Sequence, residues 1–370
     1  MKKLKFEELN LSKNLLKAIL NMGFSETTPI QAQAIPEIFT GKDIIGQAST
    51  GTGKTAAFAI PAIEKIDPEN KNAQILVLCP TRELTMQVAA EFNKLLKYKK
   101  YIYALPIYGG QPIFRQFCAL KRGPQIIIGT PGRTLDHIKR ETLKLNQVKM
   151  VILDEADEML NMGFRPDIEK ILQATSKNRQ TILFSATMSP EIMHLTKNYQ
   201  KNPRIIKIAQ EQITARAIEQ IYLQTQQTEK MNTLINLITK YNPKLSIVFC
   251  NSKRKVDNVA RALNAKGYKA AGIHGDIRQT KRDLIMSKFR NNNINILVAT
   301  DIAARGLDIA NVEVVFNYEI PREVESYIHR IGRTGRAGKT GIALSLVSDM
   351  ENFQFRKIKH HVKTRIELHN

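Results

Sequence analysis

The sequence is short of acidic residues, of cysteine and of long apolar runs, and each shortage excludes a class of protein. Only 34 Asp and Glu accompany 56 Lys and Arg, so the 370 residues carry a formal net charge of +22. Such an excess favours a polyanionic partner, with nucleic acid preferred over an anionic membrane. Three cysteines exclude a disulfide scaffold and fit a reducing compartment. Without a signal-peptide core or an apolar run of about 18 residues, we expect a soluble, cytoplasmic protein.

A repeated pattern of strands and helices organises the chain. Short, almost wholly apolar runs alternate with longer polar stretches, which is typical of βα units around a parallel sheet covered on both faces. Five such runs recur in the same order in each half: 75–83, 103–110, 125–133, 150–157 and 181–187, then 246–254, 268–276, 294–301, 312–320 and 341–348. The pattern predicts an α/β fold with two copies of one domain. Polar residues follow each run, so they collect at the carboxyl edge of the sheet, where open α/β folds bind ligands.

The same rhythm sets the domain boundaries. At roughly 150 residues per domain, the length suggests two domains. The alternation of strands and helices is lost between 201 and 220. We therefore predict an N-terminal domain over 1–207, a linker over 208–217 and a C-terminal domain over 218–370.

Apolar residues predict two further buried features. Cys79 and Cys250 end strand-like runs, so we expect both thiols to be buried and structural. A closing helix is predicted from four apolar residues at helical spacing: Phe355, Ile358, Val362 and Ile366. Its basic outer face is either solvated or in contact with nucleic acid.

A glycine-rich turn, ASTGTGKT (48–55), follows the first strand-like run at 43–48. In such a turn between a strand and a helix, backbone N–H groups converge on phosphate oxygens, with the helix dipole behind them. Lys54 would then reach the β- and γ-phosphates, and the Thr55 hydroxyl would ligate Mg²⁺. Ala48 stands where the general pattern has its first glycine, and the alternative is a chance glycine-rich turn.

Three carboxylates end the run VILDEAD (151–157), beside that turn. Asp154 suits the acid that holds the metal, and Glu155 suits the group that orients and deprotonates an attacking water. The alternative is a solvated helix start, which does not explain why the acids follow a buried strand. The turn and the acids together indicate hydrolysis of a nucleoside triphosphate.

The second half carries a different charged element, YIHRIGRTGRAG (327–338). Pro321 begins a helix that runs into Gly332, and Arg330, Arg333 and Arg336 recur every three residues around its end. Arginines that point to one side favour an anion between them, such as a γ-phosphate. The alternative is an exposed basic loop, because glycine-flanked arginines also bind phosphate backbones.

These motifs together resemble those of the DEAD-box ATP-dependent RNA helicases of helicase superfamily 2, over nearly the whole chain. They follow the order of the family: GFSETTPIQ (23–31) with Phe6 upstream, ASTGTGKT (48–55), PTREL (80–84), GG (109–110), TPGR (130–133), DEAD (154–157), SAT (185–187), VFCNSKR (248–254), HGDIRQTKR (274–282), ATDIAARGLD (299–308) and HRIGRTGR (329–336). A minor departure is Ser49, where Gln is more usual. The resemblance implies two tandem RecA-like domains, each a mostly parallel sheet flanked by helices.

The resemblance also implies the residues that bind ATP. Gln31 would read the adenine edge, Phe6 would stack on the base, and Asp308 would bind the ribose hydroxyls. The turn and one glycine of the second domain complete the nucleotide site: Ser49, Thr50, Gly51, Thr52, Gly53, Lys54, Thr55 and Gly306. The catalytic set would be Glu155, Asp154, Lys54, Arg333 and Arg336, with both arginines acting as fingers on the γ-phosphate, and the Mg²⁺ ligands would be Thr55 and Asp154.

Coupling and RNA contacts follow from the same resemblance. Four residues would link the state of the nucleotide to the closed form: Asp157, Ser185, Thr187 and His329. The sugar–phosphate backbone of RNA would be contacted by Arg82, Gly110, Thr130, Arg133, His274, Gly275, Gln279, Arg282 and Thr300. Short hydroxyls are also common strand caps, and Gln279 with Arg282 fits an exposed helix face equally well. Aromatic residues make up only 6% of the chain, which agrees with backbone reading.

The resulting hypothesis is an RNA-stimulated ATPase. ATP and single-stranded RNA would close the two domains, and the bent strand would open short duplexes locally. One rival is an RNA clamp locked by ATP, which uses the same motifs. A DNA-directed translocase is disfavoured by the intact motif GFSETTPIQ (23–31) and by the DEAD form of the acidic motif. A P-loop kinase is disfavoured because it leaves the second domain unexplained. We expect a monomeric core, whereas the cognate RNA and protein partners are not assigned by the sequence.

Overall fold

The computed structural model describes residues 4–48, 51–208, 218–304, 312–335, 340–362 and 365–369. The chain divides into two compact units, Met1–Gln210 and Glu211–Asn370. Of the predicted linker 208–217, only residue 208 is described. In the described part of the chain, no helix has the length and apolar character needed to cross a membrane.

The first unit is built on a sheet of seven strands in the order β3-β4-β2-β5-β6-β1-β7. These strands are β1 Ile44–Gln47, β2 Ile75–Leu78, β3 Ala104–Ile107, β4 Ile126–Gly129, β5 Met150–Leu153, β6 Gln180–Ser185 and β7 Arg204–Lys207. Its helices are α1 Lys13–Asn21, α2 Pro29–Phe39, α3 Lys54–Glu64, α4 Arg82–Leu95, α5 Ile113–Leu120, α6 Pro131–Lys139, α7 Ala156–Asn161, α8 Arg165–Ala174 and α9 Pro190–Tyr199, with 3-10 turns at Phe6–Leu9 and Leu96–Tyr98.

The second unit has the same plan, with seven strands in the order β10-β11-β9-β12-β13-β8-β14. They are β8 Ile218–Gln224, β9 Ser246–Phe249, β10 Ala270–Ile273, β11 Ile296–Ala299, β12 Val314–Asn317, β13 Gly341–Val347 and β14 Glu367–Leu368. Its described helices are α10 Lys230–Tyr241, α11 Lys253–Ala265, α12 Gln279–Arg290, α13 Asp301–Ala304, α14 Val324–Ile331 and α15 Asn352–His361, with a 3-10 turn at Asp349–Glu351.

The two orders are the same when each strand is counted from the first strand of its own unit. Every strand pairing in both sheets is parallel, for example Ile44 beside Ile182 in the first and Val314 beside Ile342 in the second. The predicted α/β fold of two tandem domains is confirmed, as is the internal repeat on which it depends.

Helices cover both faces of each sheet, which explains why central strands such as β2 are apolar throughout. In β2, Ile75 and Val77 join one buried cluster, whereas Leu76 and Leu78 join the cluster on the opposite face. Each face therefore receives alternate residues of the same strand. As predicted, Cys79 is buried at the end of such a strand, and burial raises the pKa of its thiol. Cys250 is buried in the same way, and its pKa is raised for the same reason.

The structure differs from the sequence-based expectation at three strands and one helix. Strands β7, β8 and β14 were not expected; β7 and β14 expose most of their residues, and β8 exposes polar positions, so none is a long apolar run. The predicted closing helix is too long. It ends at His361, and Ile366 lies beyond it, buried beside the short strand β14. In the sequence, the helical spacing of apolar residues therefore extends by chance beyond the last residue of the helix.

Candidate functional site

The glycine-rich turn lies between β1 and α3, as the sequence predicts. Gly51 and Gly53 have φ angles of 81° and 90°, in the left-handed region that favours glycine. A Cβ on Gly53 would lie 2.5 Å from the amide nitrogen of Gln31, so a side chain there would also collide. Ser49 and Thr50 lie outside the described residues, whereas Thr52 and Thr55 are half-buried beside the glycines.

Lys54 is the first residue of α3, and its side chain turns back over this turn. It is 6% exposed, and its Nζ donates a hydrogen bond to the carbonyl oxygen of Ala48 at 3.1 Å. An ammonium group can donate three hydrogen bonds. The ammonium is therefore held over the turn by one neutral acceptor, where an anionic ligand would add stronger, charge-assisted bonds.

The amide of Gln31 joins α2 to the glycine-rich turn. Its Oε1 accepts a bond from the backbone N–H of Thr28 at 2.9 Å, and its Nε2 donates to the carbonyl of Gly53 at 3.1 Å. Because a primary amide has two N–H groups and two lone pairs, one of each is left for a base. Phe6 is only 1% exposed and packs in the core of the first unit. Stacking of a base on Phe6 stays a prediction and requires part of its cover to move.

Asp154 follows β5 and is buried with an unsatisfied oxygen. It is 2% exposed, and its Oδ1 has no hydrogen-bond partner among the described residues. Burial raises the pKa of Asp154 to about 6; the Lys54 ammonium opposes this rise and the Glu155 carboxylate adds to it. A buried, unpaired carboxylate oxygen fits a hard cation such as Mg²⁺, which prefers oxygen ligands.

Glu155 has a strained backbone. Its φ and ψ are both 52°, a left-handed conformation at a residue that is not glycine, and its side chain is buried at the start of α7. Such a conformation costs about 1–3 kcal/mol and persists where the surrounding structure imposes it. Here the carbonyl of Glu155 accepts the first bond of the helix, from the N–H of Met159 at 3.1 Å. This strained conformation turns the chain at the acidic motif from the buried strand β5 directly into helix α7.

Asp157 joins the acidic motif to the SAT turn after β6. Its Oδ2 accepts bonds from the N–H groups of Ala186 and Thr187, both at 3.0 Å, and from the Thr187 hydroxyl at 3.2 Å. Thr187 therefore contacts the acidic motif directly. Ser185 bonds within its own turn instead, donating to the carbonyl of Thr187 at 2.6 Å. Among the described residues, the Ser185 hydroxyl makes no hydrogen bond to the acidic motif.

In the second unit, the expectation that Arg330 faces a bound anion together with its neighbours is wrong. Arg330 is 1% exposed, and Asp301 binds its guanidinium through two bonds of 2.6 and 2.8 Å. The carbonyl of Glu319 at 2.6 Å and the side chain of Asn251 at 2.8 Å accept further bonds. Because this guanidinium is already neutralised, Arg330 is a structural residue.

Arg333 lies on the same cleft as His329 and Arg330, at the end of α14. It is 7% exposed, and its Nε donates to the carbonyl of His329 at 3.3 Å. His329 is half-buried. The remaining nucleotide-site predictions of this unit, Gly306, Asp308 and Arg336, lie outside the described residues.

Three of the predicted RNA contacts of the first unit meet around the loop after β3. The guanidinium of Arg82 lies 4.6 Å from the ring centroid of Tyr108, and Gly110 has a left-handed φ of 84°. Arg133 donates to the carbonyl of Gln111 at 3.2 Å. Thr130 is the N-cap of α6, the helix that carries Arg133. These residues form one surface at the carboxyl edge of the sheet.

Sequence reasoning missed the two buried residues that hold this surface together. Gln116 donates to the carbonyl of Tyr108 at 2.9 Å and accepts from Arg133 at 3.1 Å. His137 lies 3.0 Å from the same oxygen of Gln116 and 2.7 Å from the hydroxyl of Thr142. Burial, followed by the charge of Arg133, lowers the pKa of His137. A lone glutamine inside the apolar helix IFRQFCAL was the available signal.

The predicted RNA contacts of the second unit lie just after strands β10 and β11 and at the start of helix α12. His274 is 7% exposed and lies 3.0 Å from Asp257, while its Nδ1 has no hydrogen-bond partner in the described part of the chain. Gly275 is exposed beside it. Three residues complete the predicted set: Gln279 bonds Asp283 at 2.9 Å, Arg282 bonds the Ala303 carbonyl at 2.6 Å, and the carbonyl of Thr300 accepts from the N–H of Ala304 at 2.9 Å.

The chain is similar in sequence and in fold to known proteins. A family model described as DEAD/DEAH box helicase matches residues 28–195, and one described as Helicase conserved C-terminal domain matches residues 229–338. The DEAD-box ATP-dependent RNA helicase CshA of Bacillus subtilis (strain 168) is 52% identical over 98% of this chain and 73% of its own length. CshA of Geobacillus kaustophilus (strain HTA426) is 52% identical over 98% of this chain and 77% of its own. The structure of S. cerevisiae Dbp5 bound to RNA and ADP BeF3 is 30% identical, with a TM-score of 0.87 over 98% of this chain and 95% of that one.

Proposed function

Because the chain belongs to the family of DEAD-box ATP-dependent RNA helicases, we propose that it hydrolyses ATP in response to single-stranded RNA and uses the cycle to open short RNA duplexes. The observation that carries the proposal is that the Lys54 ammonium and the Asp154 carboxylate lie near each other at one sheet edge. There a buried ammonium held by one carbonyl and a buried carboxylate with a free oxygen lie beside a glycine turn of left-handed conformation.

The glycine-rich turn would hold the triphosphate. Its N–H groups and the start of α3 offer donors and a favourable dipole to the phosphates, and Lys54 adds the charge. Thr55 and Asp154 would hold Mg²⁺, which neutralises phosphate charge when it is bound. Gln31 has one N–H and one lone pair left for the adenine edge, which favours ATP over GTP.

Glu155 is the candidate general base. It lies at the carboxyl end of a buried strand, next to the carboxylate that fits the metal, where an attacking water would sit in line with the γ-phosphate. Strain at this residue keeps its side chain at the site instead of within the strand or the helix.

Closure of the two domains would complete the site. Arg333 and Arg336 would then stabilise charge that develops on the γ-phosphate. The bond network of Asp157 with Thr187 would transmit the state of the nucleotide to the RNA-binding side of the domain. Since ATP and RNA both favour the closed form, each raises the affinity of the other.

RNA would be held through its backbone. Arg82, Gly110 and Arg133 offer cations and a close backbone approach on one surface, and Thr130 offers a hydroxyl beside them. S. cerevisiae Dbp5, which shares the fold, is bound to RNA in its solved structure, and this likeness supports the proposal. A cytoplasmic location agrees with the three unpaired cysteines.

The test is ATP hydrolysis with and without single-stranded RNA, with Glu155→Gln as the blank. We expect RNA to stimulate hydrolysis in the wild type and the variant to lose it while still binding ATP. Equal affinity for ATP with and without saturating RNA would contradict the coupling. A long-lived RNA complex with slow hydrolysis and no displaced strand would favour the clamp over the helicase.

A further inference from the structure

Helix α5 turns a polar residue towards the protein and an aromatic residue towards solvent. Gln116 is its one fully buried residue, whereas Phe114 is 69% exposed. Residues two positions apart on an α-helix lie about 200° apart, so Phe114 projects from the side opposite Gln116. The three bonds of Gln116 to Tyr108, Arg133 and His137 fix this orientation. The outward aromatic is therefore imposed by the fold and is not a consequence of a loose helix.

The exposed face is both aromatic and cationic. The rings of Phe114 and Phe117 lie 6.3 Å apart between centroids, with their planes tilted by 35°. The Nζ of Lys121 lies 4.4 Å from the Phe117 ring centroid. Residues 109–125 contain Arg115, Lys121 and Arg122 and no Asp or Glu. Aromatic faces next to positive charge are the combination that binds single-stranded nucleic acid without sequence preference.

The face also continues the surface that carries Gly110. Phe114 follows Gly110 by four residues, which span at most about 14 Å of extended chain. Gln116 holds both ends of this segment, because it bonds the carbonyl just before the GG pair and lies in α5 itself. A strand that passes over the GG loop therefore meets α5 at a fixed position, with no flexible segment between the two surfaces.

We propose that the outer face of α5 is a base-stacking site, where an unpaired base of single-stranded RNA leaving the GG loop stacks on Phe114 beside Phe117. The proposal rests on the proposed function, because the strand must first be held by the loop. It adds a contact to a base to an interface otherwise made with the backbone. The contact is independent of sequence, since every base has a π-face.

The experiment measures affinity for a set of single-stranded RNAs in which one abasic residue is moved along the strand, with a non-hydrolysable ATP analogue present. An abasic residue removes the base but keeps the phosphates. For the wild type, one position weakens binding about tenfold, as the loss of one stacked base predicts. Phe114→Ser binds the intact strand about tenfold more weakly and is indifferent to the abasic residue at that position. Phe114→Trp keeps the wild-type pattern.

The matched control is Phe353→Ser in the second unit. Phe353 is 71% exposed, and the Nζ of Lys357 lies 4.5 Å from its ring centroid, so exposure and cation are similar. None of the predicted RNA-backbone contacts lies in its helix, α15. With the basic face of α15 solvated, the first of the two alternatives that the sequence leaves open, the affinity of this variant for RNA equals that of the wild type. Because both rings are largely exposed, neither change is expected to unfold the protein.

Three results would overturn the proposal. One is equal affinity of Phe114→Ser and the wild type for intact RNA. Another is an equal loss by the variant on intact and abasic strands, which would make Phe114 a structural residue. The third is that Phe114→Ser keeps the RNA affinity of the wild type but no longer binds vesicles of anionic phospholipid that the wild type binds. This result would assign the face to a membrane. Failure of the proposed function looks different, because the wild type itself would then bind no RNA.

Discussion

The two units place a buried lysine at the same point of the same fold, and among the described residues only the lysine of the second unit donates a hydrogen bond to a carboxylate. Lys54 begins the helix after β1, and Lys230 begins the helix after β8, the equivalent strand of the second sheet. The Nζ of Lys230 donates to the carbonyl of Tyr318 at 2.9 Å and to Glu351 at 2.5 Å. The Nζ of Lys54 donates to the carbonyl of Ala48.

Glu351 is held beside Lys230 by several hydrogen bonds. Besides Lys230 it accepts bonds from the N–H and hydroxyl of Ser348 and from the N–H of Ile320. Burial alone would raise the pKa of Glu351, but the bonds from Lys230 and Ser348 outweigh it and hold the pKa below its ordinary value. Burial lowers the pKa of Lys230 although Glu351 opposes the shift.

The difference shows how one fold yields a ligand site in one copy and a structural ion pair in the other. In the first unit the described bond of the lysine is to a neutral carbonyl, and the nearby carboxylate of Asp154 has an oxygen with no hydrogen-bond partner among the described residues. In the second unit the Glu351 carboxylate neutralises the lysine from within the protein. The sheet order sets the position of the lysine, and the local sequence decides whether the position stays open.

The largest effect is expected at the open site. Glu155→Gln keeps the shape of the side chain but removes the base, so RNA-stimulated ATP hydrolysis should fall about 10²- to 10⁴-fold. Steady-state phosphate release measures the loss, with binding of ATP as the control. Hydrolysis within about threefold of the wild type would exclude Glu155 as the base.

At the closed site the effect should fall on stability. Lys230→Met leaves Glu351 partly buried and unpaired, which should lower the free energy of unfolding of the second unit by about 3 kcal/mol. The double variant Lys230→Met/Glu351→Leu should recover most of this loss, since both charges are gone. Denaturant unfolding of the full chain measures both. A double variant that is no more stable than the single one would show that the ion pair does not account for the loss.

A smaller, opposite effect on stability is expected at Asp154. Burial raises its pKa to about 6, so the ionised carboxylate destabilises the nucleotide-free protein above that pH. The free energy of unfolding of Asp154→Asn should therefore exceed that of the wild type by about 2 kcal/mol at pH 8, while the variant loses ATP hydrolysis. The advantage should shrink as the pH falls through about 6, where wild-type Asp154 takes up a proton. A constant advantage at all pH values would contradict this origin.

The smallest effect is expected at the link between the acidic motif and the SAT turn. Thr187→Val removes one of the three bonds to Oδ2 of Asp157, which is worth about 1 kcal/mol. Asp157→Asn weakens all three. We expect graded losses of RNA stimulation, with the larger loss in Asp157→Asn, and little change in ATP affinity. Equal stimulation in both variants and the wild type would remove this link from the coupling.

Much of this contrast was predictable from sequence, because the chemistry of the open site is local. The glycines and Lys54 come directly after one apolar strand, and Asp154 comes directly after another. The alternation of strands and helices was therefore enough to predict that these residues meet at one edge of the sheet. The strands β7 and β8 were not predictable in this way, since polar residues interrupt them and only the neighbouring strands make them part of a sheet.

Long-range pairing limits what sequence reveals about the remaining residues. Arg330 and Arg333 belong to one motif, HRIGRTGR, yet only the structure shows that Asp301, far along the chain, neutralises Arg330. The network of Gln116 with His137 joins residues 21 positions apart across two helices. The lone glutamine of an apolar helix was a local signal that Gln116 is special, but it did not indicate that this residue holds the GG loop and α6 together.

The most direct test of the comparison is the number of nucleotides that one chain binds. Equilibrium titration with a fluorescent ATP analogue and Mg²⁺ would be carried out on the wild type, on Lys54→Ala and on Lys230→Met/Glu351→Leu. The account predicts one site per chain, lost in Lys54→Ala and retained in the double variant. A second site in the wild type, or a site that survives Lys54→Ala and disappears in the double variant, would contradict it.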